Sequence, residues 1–61
     1  MEELRSNFFR KYANLPLGMR TEIVLVVGDE PITWNVAYLE IKAGSSKAEQ
    51  ILNGLKELDL I

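Results

Sequence analysis

The sequence predicts a small α+β domain of order α-β-β-α, an antiparallel β-hairpin packed by two helices. Three observations predict it. Two β-rich runs, residues 20–27 and 32–42, flank the turn-like tetrapeptide Gly28-Asp29-Glu30-Pro31. An apolar stripe at helical spacing precedes them, and a second follows. The 61 residues are 48% hydrophobic and 26% charged, enough apolar material to offset chain entropy, so the chain reads as one folded domain, 1–61.

The first helix is expected over residues 2–13. Leu4, Phe8 and Tyr12 recur at i, i+4 and i+8, and Phe9 widens the stripe. Glu2 and Glu3 at the start and Arg10 and Lys11 near the end complement the helix dipole. Asn14 is placed at a left-handed C′ position, and Leu15-Pro16-Leu17-Gly18 is read as a β-turn, with Pro second and Gly fourth.

In the hairpin, a register in which opposed residue numbers sum to fifty-nine sets Val27 against Ile32, Leu25 against Trp34, Ile23 against Val36 and Thr21 against Tyr38. That face is apolar but for one threonine, and collecting large side chains on one face favours the register. Trp34 is then a core residue. Asp-Glu is a poor tight-turn pair and Pro31 restricts Glu30, so a four-residue loop is expected, with Pro31 just ahead of the second strand. The opposite face, with Val24, Val26, Ala37, Leu39 and Ile41, is mixed.

The second helix is expected to open on a capping box, Ser46 with Glu49. Ala48, Ile51, Leu52, Leu55 and Leu58 form its stripe, and it is expected to end near Leu58. Gly54 at the stripe's edge costs helix propensity against Ala, and a close backbone contact is the expected reason for it. Leu60 and Ile61 follow and need cover.

Several chemistries are excluded or disfavoured. There is no Cys and no His, so no disulfide, no thiol nucleophile and no imidazole base or metal ligand. No Gly-rich phosphate loop or nucleophile elbow occurs. No catalytic, cofactor or metal site is assigned. Asp29 and Glu30 are read as a solvated loop tip, and Arg20, Glu22, Tyr12 and Tyr38 as too sparse a set for acid–base work. The longest apolar run is five residues, the N-terminus lacks an apolar signal core, and a cytoplasmic protein without membrane contact is expected.

Two functional readings are left. The favoured one is a protein-interaction or assembly module acting as a homodimer, with another protein as a further partner. Small chains bury little surface, and open strand edges invite pairing, here into a four-stranded sheet across the dimer or a stack of mixed faces. The interface candidates are Val24, Val26, Leu39, Ile41, Leu58, Leu60 and Ile61. The alternative is a nucleic-acid-associated protein using Arg5, Arg10, Lys11 and Arg20. Net charge is +2 over residues 1–20 and −4 over the rest. At helical pitch, however, Arg5, Arg10 and Lys11 spread around the helix instead of forming one patch, which disfavours this reading.

Overall fold

The computed structural model describes residues 2–61. It shows a small α+β fold of α1 (Glu2–Ala13), the hairpin strands β1 (Ile23–Val27) and β2 (Glu30–Thr33), α2 (Trp34–Ala43) and α3 (Ala48–Glu57); α1, the hairpin and α3 keep the expected order, and α2 is an additional helix between β2 and α3. The three helices pack on one another, with α3 against β1 and α2 against β2.

The first helix has the predicted bounds, with Phe8 completely buried. Its end differs from expectation. Asn14 is not left-handed; its N–H bonds the Lys11 carbonyl, its side-chain amide donates to the Arg10 carbonyl, and Leu15 N–H bonds Tyr12. The chain tightens into an i−3 closure that satisfies the last carbonyls without a positive φ. The expected turn begins one residue later. Pro16 is extended and precedes a 3-10 turn, Leu17–Met19.

The hairpin exists with another register. Val27 faces Glu30, Val26 faces Pro31, Leu25 faces Ile32 and Ile23 faces Thr33. The loop is only Gly28-Asp29, not four residues. Gly28 has φ +62° and Asp29 is not in the positive-φ region, the pattern of a II′ turn with Gly first. The turn closes on Val27 and Glu30, so Val26 and Pro31 form the next, non-hydrogen-bonded pair. Pro31, the second residue of β2, therefore lacks only an N–H that would point away from β1.

A bulge at Val24 shifts the register between Ile23 and Leu25. Two successive residues, Val24 and Leu25, are half-buried against the core, and Ile23 and Val26 on either side are exposed. The extra residue breaks strict alternation. Ile23, expected inside, is thus 62% exposed.

The largest correction concerns residues 34–42. These form the helix α2, not the continuation of the second strand. Thr33 ends the ladder and is also the helix N-cap, its hydroxyl accepting from Val36 N–H at 3.1 Å. Gly44 closes the other end at φ +67°, with Gly44 N–H on Ile41 and Ser45 N–H on Glu40, a Schellman pair. Trp34, Ala37 and Ile41, at i, i+3 and i+7, are buried. The β-branched and aromatic content suited a strand; the period of three to four suited a helix, and burial selects the helix.

The α3 helix also starts differently. Ser46 and Glu49 form no capping box; Lys47 N–H reaches Ser45 Oγ and Ala48 N–H the Ser45 carbonyl. Of its predicted stripe, Ala48, Ile51, Leu52 and Leu55 are buried, whereas Leu58, just beyond the last helical turn, is exposed. Asp59 takes the left-handed position at φ +62°, and Leu60 N–H bonds the Leu55 carbonyl at 2.9 Å. Leu60 and Ile61 fold back, half-buried, against the core.

The close contact at Gly54 is with Leu25: a Cβ there would sit 2.6 Å from Leu25 Cδ1. Gly54→Ala therefore gains helix propensity of about 1 kcal/mol but forces Leu25 aside. In a Leu25→Ala background, Gly54→Ala should stabilise by close to that full amount, and in the native background by clearly less. A double-mutant cycle by urea denaturation measures the difference; equal effects in both backgrounds would remove the contact as the reason for the glycine.

Candidate interaction surface

All five aromatic residues of the chain join one cluster between α1 and α2. The Phe8 ring stacks on Trp34 at 6.0 Å and lies beside Phe9 and Tyr12; Tyr12 stacks on Tyr38 at 4.5 Å. The outer rings carry cations. The Arg20 guanidinium lies 4.4 Å from the Tyr12 centroid, Lys42 Nζ 5.5 Å from Tyr38, and Arg5 5.5 Å from Phe9. Such cations add electrostatic attraction to the ring quadrupole.

Polar bonds pin this cluster. The Tyr12 hydroxyl donates to Asn35 Oδ1 at 2.7 Å. Arg20 Nη2 donates to the Tyr12 carbonyl at 3.2 Å, and Asn35 N–H bonds the Arg20 carbonyl at 3.0 Å. Arg5 Nη1 donates to the Ile41 carbonyl at 2.6 Å, a cation on the negative end of α2. Among the described residues, Arg20 Nε is the one buried side-chain nitrogen without a partner.

The four nucleic-acid candidates are therefore not equivalent. Arg5 and Arg20 are engaged in fastening α1 and the loop before β1 to α2, whereas Arg10 and Lys11 are exposed. Phe9, Tyr12 and Tyr38 already present ring faces to cations. The loop-tip acids separate as well: Glu30 is paired with Lys47, which holds the Lys47 ammonium above its usual pKa, and Asp29 has no ion pair among the described residues.

The interface candidates also divide. Ile41 is completely buried in the protomer's own core and is unavailable to a partner. Val24, Leu60 and Ile61 are half-buried against that core. Leu39 is 64% exposed, but on α2, so it shares no sheet face with Val24 and Val26. Val26 and Leu58 are exposed. The residues missed in the sequence are Ile23, Leu17 and Met19, all exposed. Ile23 was hidden by the bulge, which leaves no mark in an unbroken Ile-Val-Leu-Val-Val run. For the other two the available signal was the turn residues Pro16 and Gly18 beside them, since turns lie at the surface.

What the hairpin offers outward is thus Ile23, Val26 and Pro31, all exposed, plus its two strand edges. Beyond the ladder, no backbone group of residues 23–27 or 30–32 bonds another part of the described chain. The β2 edge is blunted by Pro31 and Glu30, while β1 has neither proline nor charge. Among the described residues no concave pocket opens and no group of three His, Cys, Asp or Glu side chains comes within metal-binding reach. No helix is long and apolar enough to cross a membrane.

Tyr12→Phe leaves Asn35 Oδ1 without its donor and should cost about 1 kcal/mol in urea denaturation; an unchanged midpoint would show that the bond contributes nothing. The Lys47–Glu30 pair raises the Lys47 pKa in the folded state, so its contribution is fully present below the unfolded value near 10.5 and is lost as pH rises through the folded value. The melting difference between the native chain and Lys47→Met should accordingly vanish in strong alkali and persist at neutral pH. No protein-family model, curated protein or solved structure matches this chain.

Proposed function

We propose that the chain is a small protein-interaction or assembly module that acts as a homodimer in the cytoplasm. The observation that carries this reading is the uncovered outer face of the hairpin, where Ile23 and Val26 are each more than half exposed beside Pro31. Exposed β-branched side chains gathered on one sheet face favour association. The lone chain exposes 4004 Å², close to the ~4000 Å² expected of a compact monomer of 6.9 kDa. The protomer is thus compact by itself, which supports a dissociable dimer over an obligate one.

The nucleic-acid reading has less behind it. It needs free cations and open aromatic faces, and the aromatic cluster uses Arg5 and Arg20 to cover its own rings. An enzyme is less favoured than either, since among the described residues no set of groups converges in a cleft.

Sedimentation equilibrium across micromolar to millimolar concentration tests the reading. The expected mass rises from 6.9 kDa toward twice that value, and Val26→Lys returns it to the monomer while leaving the melting transition in place. A native chain that stays at 6.9 kDa throughout would remove the homodimer. A salt-sensitive gel shift with DNA or RNA, abolished by Arg10→Ala with Lys11→Ala, would promote the alternative.

A further inference from the structure

We infer that Asn53-Gly54 is a self-modification site of this chain, held in check by α3. When α3 opens, the side-chain amide of Asn53 is open to attack by the Gly54 backbone nitrogen, and the product works against the helix closing again.

The step needs only water. The Gly54 nitrogen bonds to Asn53 Cγ, the side-chain nitrogen leaves as ammonia, and a five-membered succinimide ring remains. Water then adds to either ring carbonyl and breaks the C–N bond there. One opening leaves aspartate at position 53. The other leaves isoaspartate, with the main chain routed through Cβ and Cγ. In balance, one water is consumed and one ammonia released.

The site is set by packing. The chain has four asparagines, followed by Phe8, Leu15, Val36 and Gly54. A side chain on the following residue hinders its nitrogen, and glycine has none, so Asn53 is the open position. The glycine is itself required, because a Cβ there would sit 2.6 Å from Leu25 Cδ1. Contact of α3 with β1 thus imposes the labile pair. Asn53 is exposed, so water reaches its amide.

The helix supplies the restraint. Ring closure needs the Gly54 nitrogen free and the Asn53 ψ rotated away from helical values. Within α3 the ψ is helical and the Gly54 N–H points along the helix toward the Gln50 carbonyl. That restraint can be released. The helix has ten residues and its N-cap, Lys47, makes no side-chain bond to it. A helix so short does not persist alone in water, so it stays closed through the packing of its one buried face. Its local opening is the gate.

The product acts as a latch. Isoaspartate adds a methylene to the backbone and shifts the completely buried Leu55, and Leu60 and Ile61 that fold back after it, out of register. Aspartate adds a carboxylate in the C-terminal half of α3, toward the negative end of its dipole. Glu49 and Glu57 lie four residues to either side and Lys56 three residues on, so the new carboxylate meets two like charges and one opposite.

Ageing the purified chain at neutral pH, in buffer and in guanidinium chloride, tests this. Each asparagine is followed by peptide mass mapping, and isoaspartate by enzymatic carboxyl methylation. Residue 53 should convert ahead of Asn7, Asn14 and Asn35 in both conditions, and at least about tenfold faster in denaturant than in buffer, because there the opened state is fully populated. Leu25→Ala leaves the Asn-Gly pair intact but removes the side chain packed on Gly54. It should speed conversion in buffer and leave the rate in denaturant unchanged. Asn53→Gln, which would have to close a six-membered ring, should stop conversion at this position. Asn53 staying intact in denaturant would overturn the site. Equal rates for the native chain in buffer and denaturant, or a native rate in buffer for folded Leu25→Ala, would overturn α3 as the gate. Converted chain separated by ion exchange should show a lower urea midpoint than the native chain; an unchanged midpoint would overturn the latch.

Discussion

The junction at Thr33–Trp34 sets most of what surrounds it. Thr33 is the last residue of the ladder and the cap of the next helix, so β2 passes into α2 with no loop between them. The next residue, Trp34, is delivered directly into the core, stacked on Phe8 of α1. Because the hydroxyl of Thr33 satisfies an N–H of the first helical turn, the chain can leave the sheet there without stranding a buried donor. The position of α1 over α2, and of the aromatic cluster between them, depends on that transition.

From this junction the aromatic cluster spreads outward with graded polarity. Phe8 and Trp34 are buried. Phe9, Tyr12 and Tyr38 are half-buried, and a cation lies over each. Arginine and lysine stems cover apolar surface while their heads stay polar. In a chain this short, without disulfides, the rim residues thus extend the core at little desolvation cost. Arg5 and Arg20 also tie separate segments together through carbonyls, which makes them structural residues first.

The hairpin has a different character. Its inner face is fixed by Ile32 and by the Leu25–Gly54 contact with α3, while its outer face has no helix over it. The bulge at Val24 turns an otherwise alternating strand into one with two inward and two outward neighbours. Pro31 and Glu30 blunt one edge of the hairpin, and the bulge at Val24 interrupts the other.

Local chemistry alone determined α1, the stripe and the end of α3, the presence of a hairpin around Gly28-Asp29, and the α+β class. Those rest on 3.6-residue periodicity and on turn residues, both readable over short windows. The absence of cysteine and histidine chemistry was equally legible. The fate of residues 34–42 was not. Trp34, Val36 and Tyr38 alternate as a strand would, while Trp34, Ala37, Tyr38 and Ile41 recur as a helix would, and both patterns are present in the same residues. Only the fit of Trp34, Ala37 and Ile41 between α1 and α3 decided for the helix, with Thr33 and Gly44 as its caps. The hairpin register and the exposure of Ile23 were likewise tertiary outcomes. A bulge is a backbone response to what the two sheet faces must pack against, and nothing in five consecutive aliphatic residues marks where it falls.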